Sequence, residues 1–313
     1  MENKHLYLHT PLISIPAFDI PGKTIHYKMD ALQPCGSFKL RGVECTFRDA
    51  LANGAQKFLS SSGGNAGLAV AYTGWRLGWP VTVALPTNAA PETIAKLRDW
   101  YHAEVVLEGE AWDETNQYCL SLVEKDPTIA YIPPFDHPKL WEGHATLVDE
   151  LKQDMDEQPD LVITSVGGGG LLNGIVEGLV RNGWEDTHVL AVETIGADSL
   201  NAAYEADELV TLNAITSLAH SLGAKRVSAT ALENTKQHHV KPIRVTDARA
   251  VDACLRFADE ARVLVEPACG ATLSVVLDKL DVLAPYHNIV VEVCGGASVT
   301  LNSLSEWKAE FNL

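Results

Sequence analysis

Short apolar runs alternate with amphipathic stretches of helical length along most of the chain. "KFLSSSGGNAGLAVAYTGWRLG" predicts a brief strand, a Gly-rich turn and a helix. "PVTVALP" is a β-branched strand, and "APETIAKLRDWYHA" is a helix with Pro91 in its first turn, where a missing N–H is harmless. "AEVVLEG" predicts a strand, "AWDETNQYCLSLVEKD" a helix, and "TIAYIPP" a strand closed by prolines. After "FDHPKLWEGHATLVDELKQDM" the alternation resumes. "DLVITSV" is a buried strand, "GGGG" a turn, "LLNGIVEGLVRNG" a helix and "HVLAVE" a strand. "VTDARAVDACLRFADEARVLVEPACG" predicts a helix and a return strand, and "NIVVEVCGG" a strand whose end carries Cys294.

Strands of this kind separated by helices of about 10 to 15 residues predict parallel or mostly parallel α/β sheets flanked by helices, with right-handed crossovers. The alternation is long for a single doubly wound sheet, which favours two lobes. Ligands of such sheets collect beyond the C-terminal strand ends. Gly-rich segments follow predicted strands three times, at residues 61–67, 167–170 and 294–296.

Composition narrows the classes. The 313 residues are 46% hydrophobic and 21% charged, ample for a sizeable core. Acids outnumber bases 41 to 24, for a net charge of -17, which argues against nucleic acid or an anionic membrane as a partner. An anionic ligand must then be held by a local site against the overall field. "MENKHLYLHTPLI" has no apolar signal core and no apolar run reaches about 18 residues, so the expected location is the cytoplasm. The six cysteines form no C-x-x-C pair, which makes zinc improbable and free thiols the expectation.

In "SVGGGGLLNG", four glycines between strand and helix let backbone amides and the helix dipole meet a phosphate. A dinucleotide fingerprint would need glycine at Leu172 or Asn173, so it is weakened, although Glu193 ends the next strand where a ribose-binding acid would sit. A tight turn without a ligand is the plain alternative. "SSSGGNAG" offers Ser62, Asn65 and exposed amides, which suit a carboxylate, but Ser and Asn also cap helices routinely. Cys294 read alone is a small apolar filler; its functional reading is a neutral partner for a ring nitrogen. Lys39, in "PCGSFKLRG", has no charged company on its N-terminal side. Alone it reads as a turn lysine. Beside a phosphate site and a carboxylate site, it suits an aldehyde cofactor with a phosphate handle, pyridoxal phosphate.

Together these segments resemble the fold-type II pyridoxal-phosphate enzymes, the tryptophan synthase β-like fold, and most closely the L-serine/L-threonine dehydratases. "GSFKLRG" looks like their Schiff-base lysine motif, "SSGGNAG" their substrate loop and "GGGGLL" their phosphate loop. "VETIGADSLNAA", "ITSLAHSLGAK", "VEPACGA" and "VEVCGG" look like further segments of the serine-dehydratase branch. The resemblance implies a large cofactor-binding domain of residues 1–34 plus 139–313, a small domain of residues 35–138, and a cofactor between the lobes. It implies Lys39 as the Schiff-base lysine, Phe38 packed on the ring, Asn65 near the cofactor hydroxyl, and Cys294 at the pyridine nitrogen. Gly167, Gly168, Gly169, Gly170 and Leu171 would cradle the phosphate. Ser62, Gly63, Asn65 and Ala66 would form the substrate loop, with Ser62, Asn65 and Ala66 on the carboxylate.

A neutral partner at the nitrogen suits β-elimination, whereas aminotransferases use an acidic one. The freed Lys39 amine would take the α-proton, and the cofactor phosphate would protonate the departing β-hydroxyl. A monovalent cation, K+ in expectation, would lie near Gly167, Glu193, Ala197, Ser199, Leu222 and Ala224, held mainly by carbonyls. Gly63 stands where the related serine racemase has a serine, so little racemisation is expected. With no regulatory domain after "SLSEWKAEFNL", the implied role is catabolic deamination by a homodimer. β-Replacement of the cysteine-synthase type, whose loop is closer to T-S-G-N-T-G, and non-catalytic binding of the cofactor are the alternatives. Preference between serine and threonine turns on space for one methyl group.

Overall fold

The apolar runs assemble into two separate sheets, each within its own compact unit. The computed structural model describes residues 5–313. One unit contains residues 5–8 and 33–143; the other contains residues 9–32 and 144–313. The strands are β1 (Leu12–Ile13), β2 (Thr24–Lys28), β3 (Lys57–Ser60), β4 (Val81–Leu85), β5 (Glu104–Leu107), β6 (Ile129–Tyr131), β7 (Leu161–Ser165), β8 (His188–Thr194), β9 (Val240–Val245) and β10 (Asn288–Glu292). The helices begin with α1 (Lys39–Ala52), α2 (Asn65–Leu77), α3 (Pro91–Ala95), α4 (Trp112–Lys125), α5 (Pro138–Asp154) and α6 (Gly170–Arg181). They continue with α7 (Ser199–Ala206), α8 (Ala229–Gln237), α9 (Asp247–Ala261), α10 (Pro267–Leu277) and α11 (Leu301–Phe311).

The smaller unit holds a four-stranded sheet in the order β5-β4-β3-β6, parallel throughout. The larger unit holds six strands in the order β1-β2-β10-β7-β8-β9, parallel except for β1 against β2. Every residue of β7 is buried, as are all but the first of β8 and β10. That explains why these strands read as unbroken apolar runs, since helices cover both faces of a parallel sheet. Among the described residues no helix is long and apolar enough to cross a membrane.

One expectation fails. No strand follows α9: residues 262–266 are irregular, Arg262 adopts a left-handed conformation (φ 63°), and Pro267 starts α10. Every residue of α10 is buried, so it has no polar stripe to mark it as a helix. Three strands went unnoticed in the sequence: the short β1, β2 ("TIHYK") and β9, "VKPIRV", whose proline and two cations disguise it. Strand β9 sits at the sheet edge, where a proline is tolerated.

The larger unit also buries a charge that the sequence pattern does not announce. Lys28, fully buried at the end of β2, lies 2.7 Å from the Glu150 carboxylate and 3.3 Å from Asp154, and donates to Thr10 O at 2.7 Å. Removing the cation would leave buried carboxylate charge uncompensated. Lys28→Met is expected to cost about 3 kcal/mol, read as a lower urea midpoint; an unchanged midpoint would contradict this account of the network.

Candidate active site

Lys39 is the first residue of α1. The turn before it is closed by Gly36, whose N–H donates to Gln33 O at 2.7 Å and whose φ of 80° favours glycine. The half-buried Lys39 ammonium donates to Pro134 O at 2.6 Å and lies 5.0 Å from the centroid of the Phe38 ring. A carbonyl and an aromatic face are thus among the neighbours of the amine. Pro134, a distant residue in sequence, had no signal beyond ending an apolar run.

In the same unit, β3 runs into the turn holding Ser62 and Gly63, and α2 begins at Asn65 without a side-chain cap. Its first-turn N–H groups, Ala66 among them, therefore emerge from the helix start, an arrangement that favours an anion. A Cβ on Gly67 would lie 1.6 Å from Ser62 O, so only glycine lets the turn close. A Cβ on Gly63 would meet Leu85 Cδ2 at 2.8 Å, a flexible side-chain end. The Ser61 hydroxyl contacts Tyr131 OH at 2.7 Å and donates to Asn116 at 3.1 Å, which ties the turn to β6 and α4. Helix α1 packs on α2, so the helix of Lys39 and the helix that follows the Ser62–Gly63 turn are neighbours.

In the larger unit, β7 ends at Ser165 and Gly170 starts α6, again with no side-chain cap. Gly169 has φ 93°, and a Cβ there would lie 2.5 Å from Ala231 Cβ. A Cβ on Gly167 would lie 3.0 Å from Ser221 O and 3.1 Å from Leu222 Cα. Ser228 N donates to Gly168 O at 3.0 Å, Asn173 Nδ2 to Ser228 Oγ at 3.1 Å, and Asn234 Nδ2 to Asn173 Oδ1 at 3.0 Å. Asn173, which breaks the dinucleotide fingerprint, thus fastens this loop to α8. Ser228 and Asn234 escaped the sequence reading because they lie more than a helix away.

Cys294 follows β10, which lies beside β7, and its Sγ is 3.5 Å from Ser165 Oγ. The thiol is 4% exposed. A hydrogen bond with Cys269 and then burial raise its pKa well above the ordinary value, so it stays neutral at physiological pH. Glu193, on β8, accepts Leu200 N at 2.9 Å, Asn201 N at 2.8 Å and Asn201 Nδ2 at 2.7 Å. Burial pushes its carboxyl up to about 7, and the amide donors partly offset that rise. Nearby in sequence, Ala197 and Leu222 are buried, Ala224 is half-buried, and the Ser199 hydroxyl is buried without a hydrogen-bond partner among the described residues. Among those residues, no group of three or more His, Cys, Asp or Glu is placed to hold a metal ion.

A family model described as "Pyridoxal-phosphate dependent enzyme" matches residues 4–295. The chain belongs to the pyridoxal-phosphate dependent enzymes. It is 42% identical to the L-serine dehydratase of Dictyostelium discoideum over 320 residues, covering 96% of this chain and 91% of that one. It is 40% identical to the L-serine dehydratase/L-threonine deaminase of Homo sapiens, covering 100% and 98%. Among solved structures, a fungal L-serine ammonia-lyase from Rhizomucor miehei superposes with a TM-score of 0.92 at 34% identity, covering 98% of this chain and all of that one.

The residues present fit pyridoxal phosphate. The glycine turn before α6 leaves room that side chains would fill and presents uncapped amides, as a phosphate requires. Cys294 supplies a neutral group and Lys39 an amine. Gly169→Ala, which adds both left-handed strain and a collision with Ala231, is expected to weaken cofactor binding about tenfold or more. Absorbance titration of the apoenzyme checks this; an unchanged dissociation constant would detach the loop from the cofactor.

Proposed function

We propose that this chain is an ammonia-lyase that deaminates L-serine to pyruvate and L-threonine to 2-oxobutanoate, releasing ammonia. The observation carrying this reading is relatedness along nearly the whole chain to proteins named L-serine dehydratase and L-threonine deaminase. When bound, pyridoxal phosphate supplies an electron sink for charge developing at the substrate α-carbon. The work of the chain is then to bind, to orient and to move one proton.

Gly167, Gly168, Gly169, Gly170 and Leu171 would hold the phosphate through backbone N–H groups and the positive end of α6. Cys294 would meet the pyridine nitrogen as a neutral thiol and add no proton there. Phe38 would wall the ring, and Asn65 would reach its hydroxyl. The substrate carboxylate is received by the Ser62 hydroxyl, the Asn65 side chain and the Ala66 N–H. Those three come from one turn, so the carboxylate fixes which α-substituent faces the lysine. Lys39 would anchor the cofactor and, with substrate bound, receive the α-proton on Nζ. The carbonyl of Pro134 and the Phe38 ring beside it orient the amine. Gly63 supplies no acid or base on the opposite face, which supports elimination over racemisation.

Glu193 and the carbonyls of Gly167, Ala197, Leu222 and Ala224, with Ser199, are proposed to hold K+. The Ser199 hydroxyl, buried with no hydrogen-bond partner among the described residues, supports that reading. Turnover should rise on replacing Na+ with K+ in the wild-type protein and lose that response in Glu193→Ala; an identical response in both would contradict the site.

The main test is a visible spectrum recorded before and after addition of L-serine, with pyruvate assayed in the same sample. An imine band that changes as pyruvate forms is expected, with both signals lost in Lys39→Ala. A band without pyruvate would favour β-replacement or simple binding, and full activity in Lys39→Ala would overturn the lysine's role.

A further inference from the structure

Residues on both sides of Lys39 grip one short piece of the N-terminal chain, all within the smaller unit. Upstream of the lysine, the buried Gln33 pairs its side-chain amide with the Leu8 backbone in both directions. It accepts from Leu8 N at 2.8 Å and donates to Leu8 O at 2.9 Å. Downstream, on α1 itself, the buried Glu44 carboxylate accepts Leu6 N at 2.7 Å and Tyr7 N at 3.2 Å, and its other oxygen accepts Arg48 Nε at 2.7 Å. Between them, the fully buried Arg41 places its guanidinium carbon 5.2 Å from the centroid of the Tyr7 ring.

These bonds are more than burial of the segment requires. Leu6 and Tyr7 are only half-buried and Leu8 is exposed, so the segment contributes little to the apolar core. What holds it is polar: a desolvated carboxylate, a primary amide and a stacked guanidinium. Burying a carboxylate in a chain of net charge -17 is costly and is offset here by backbone donors and Arg48. The first turn of α1, meanwhile, has no side-chain cap from Phe38 and follows a turn containing Gly36. Locally the start of the helix is held by backbone bonds, Arg41 N to Phe38 O at 3.1 Å and the longer Leu40 N to Ser37 O at 3.5 Å.

We propose that Leu6, Tyr7 and Leu8 form a strap that fixes the start of α1, with Gln33 and Glu44 as positioning residues for Lys39. The proposal rests on the reading of Lys39 as the cofactor lysine. That amine must reach both the cofactor aldehyde and the substrate α-proton, so its backbone tolerates little displacement. Loosening the strap alters the placement of the amine while the sheet of the smaller unit stays intact.

The test uses apoenzymes of the full chain, Glu44→Ala, Glu44→Gln and a chain lacking residues 2–8. Each is confirmed as folded by circular dichroism and titrated with pyridoxal phosphate while the imine band is followed. Glu44→Ala and the shortened chain are expected to raise the dissociation constant about tenfold and lower kcat for L-serine by a similar factor. KM for L-serine should change little, because the substrate loop is untouched. Glu44→Gln, which keeps an oxygen for the Leu6 and Tyr7 amides, should return most of the affinity. Wild-type dissociation constants in both Glu44→Ala and the shortened chain would overturn the strap, even if their thermal stability fell. Lys39→Ala serves as the control: a persistent imine band there would remove the reading of Lys39 and the strap together. Its loss there, with wild-type affinity in the strap variants, would remove the strap alone.

Discussion

Parallel pairing sends the carboxyl ends of neighbouring strands out along the same edge of a sheet, and the chemistry of the larger unit follows from that constraint. Because β10, β7 and β8 are adjacent and parallel, the residues that follow them emerge side by side. Cys294, the glycine turn and the Glu193 region are far apart in sequence, yet the sheet order brings them to one edge. The Ser165–Cys294 contact, across 129 residues, records that convergence. In the smaller unit the same rule delivers the turn of Ser62 and Gly63, proposed to receive the substrate, from the end of β3 into the start of α2.

The second theme is how an acidic chain would hold an anionic cofactor and substrate. No Lys or Arg side chain stands among the residues assigned to the phosphate or the carboxylate; backbone amides at two uncapped helix starts, with the neutral side chains of Ser62 and Asn65, would take that role. Glycine is what makes this possible, since a side chain at Gly67 or Gly169 would collide with its own surroundings. Neutrality is equally deliberate at Cys294, where Cys269 and burial keep the thiol protonated.

Much of this was legible in the sequence. Strands buried on both faces read as plain apolar runs, and glycines between a strand and a helix mark backbone that must approach something closely. Legibility failed where identity depends on neighbours brought by the fold. Pro134 matters for its carbonyl, which every residue possesses, and Asn173 for a network with Ser228 and Asn234 that no spacing reveals. Helix α10 hid because complete burial erased its polar face, and β9 because an edge strand can carry Pro242 and charges. The Gln33 and Glu44 grip on the N-terminal segment was equally silent: one amide and one acid among ordinary neighbours.

The claim on which the account stands is that Lys39 carries the cofactor. The most direct measurement is borohydride reduction of the purified protein with pyridoxal phosphate, followed by proteolysis and mass spectrometry of the labelled peptide. The account predicts a stoichiometric pyridoxyl mass increment on Lys39 within "PCGSFKLRG", suppressed when L-serine is present during reduction. A label on another lysine, or spread among surface lysines with Lys39 unmodified, would contradict it.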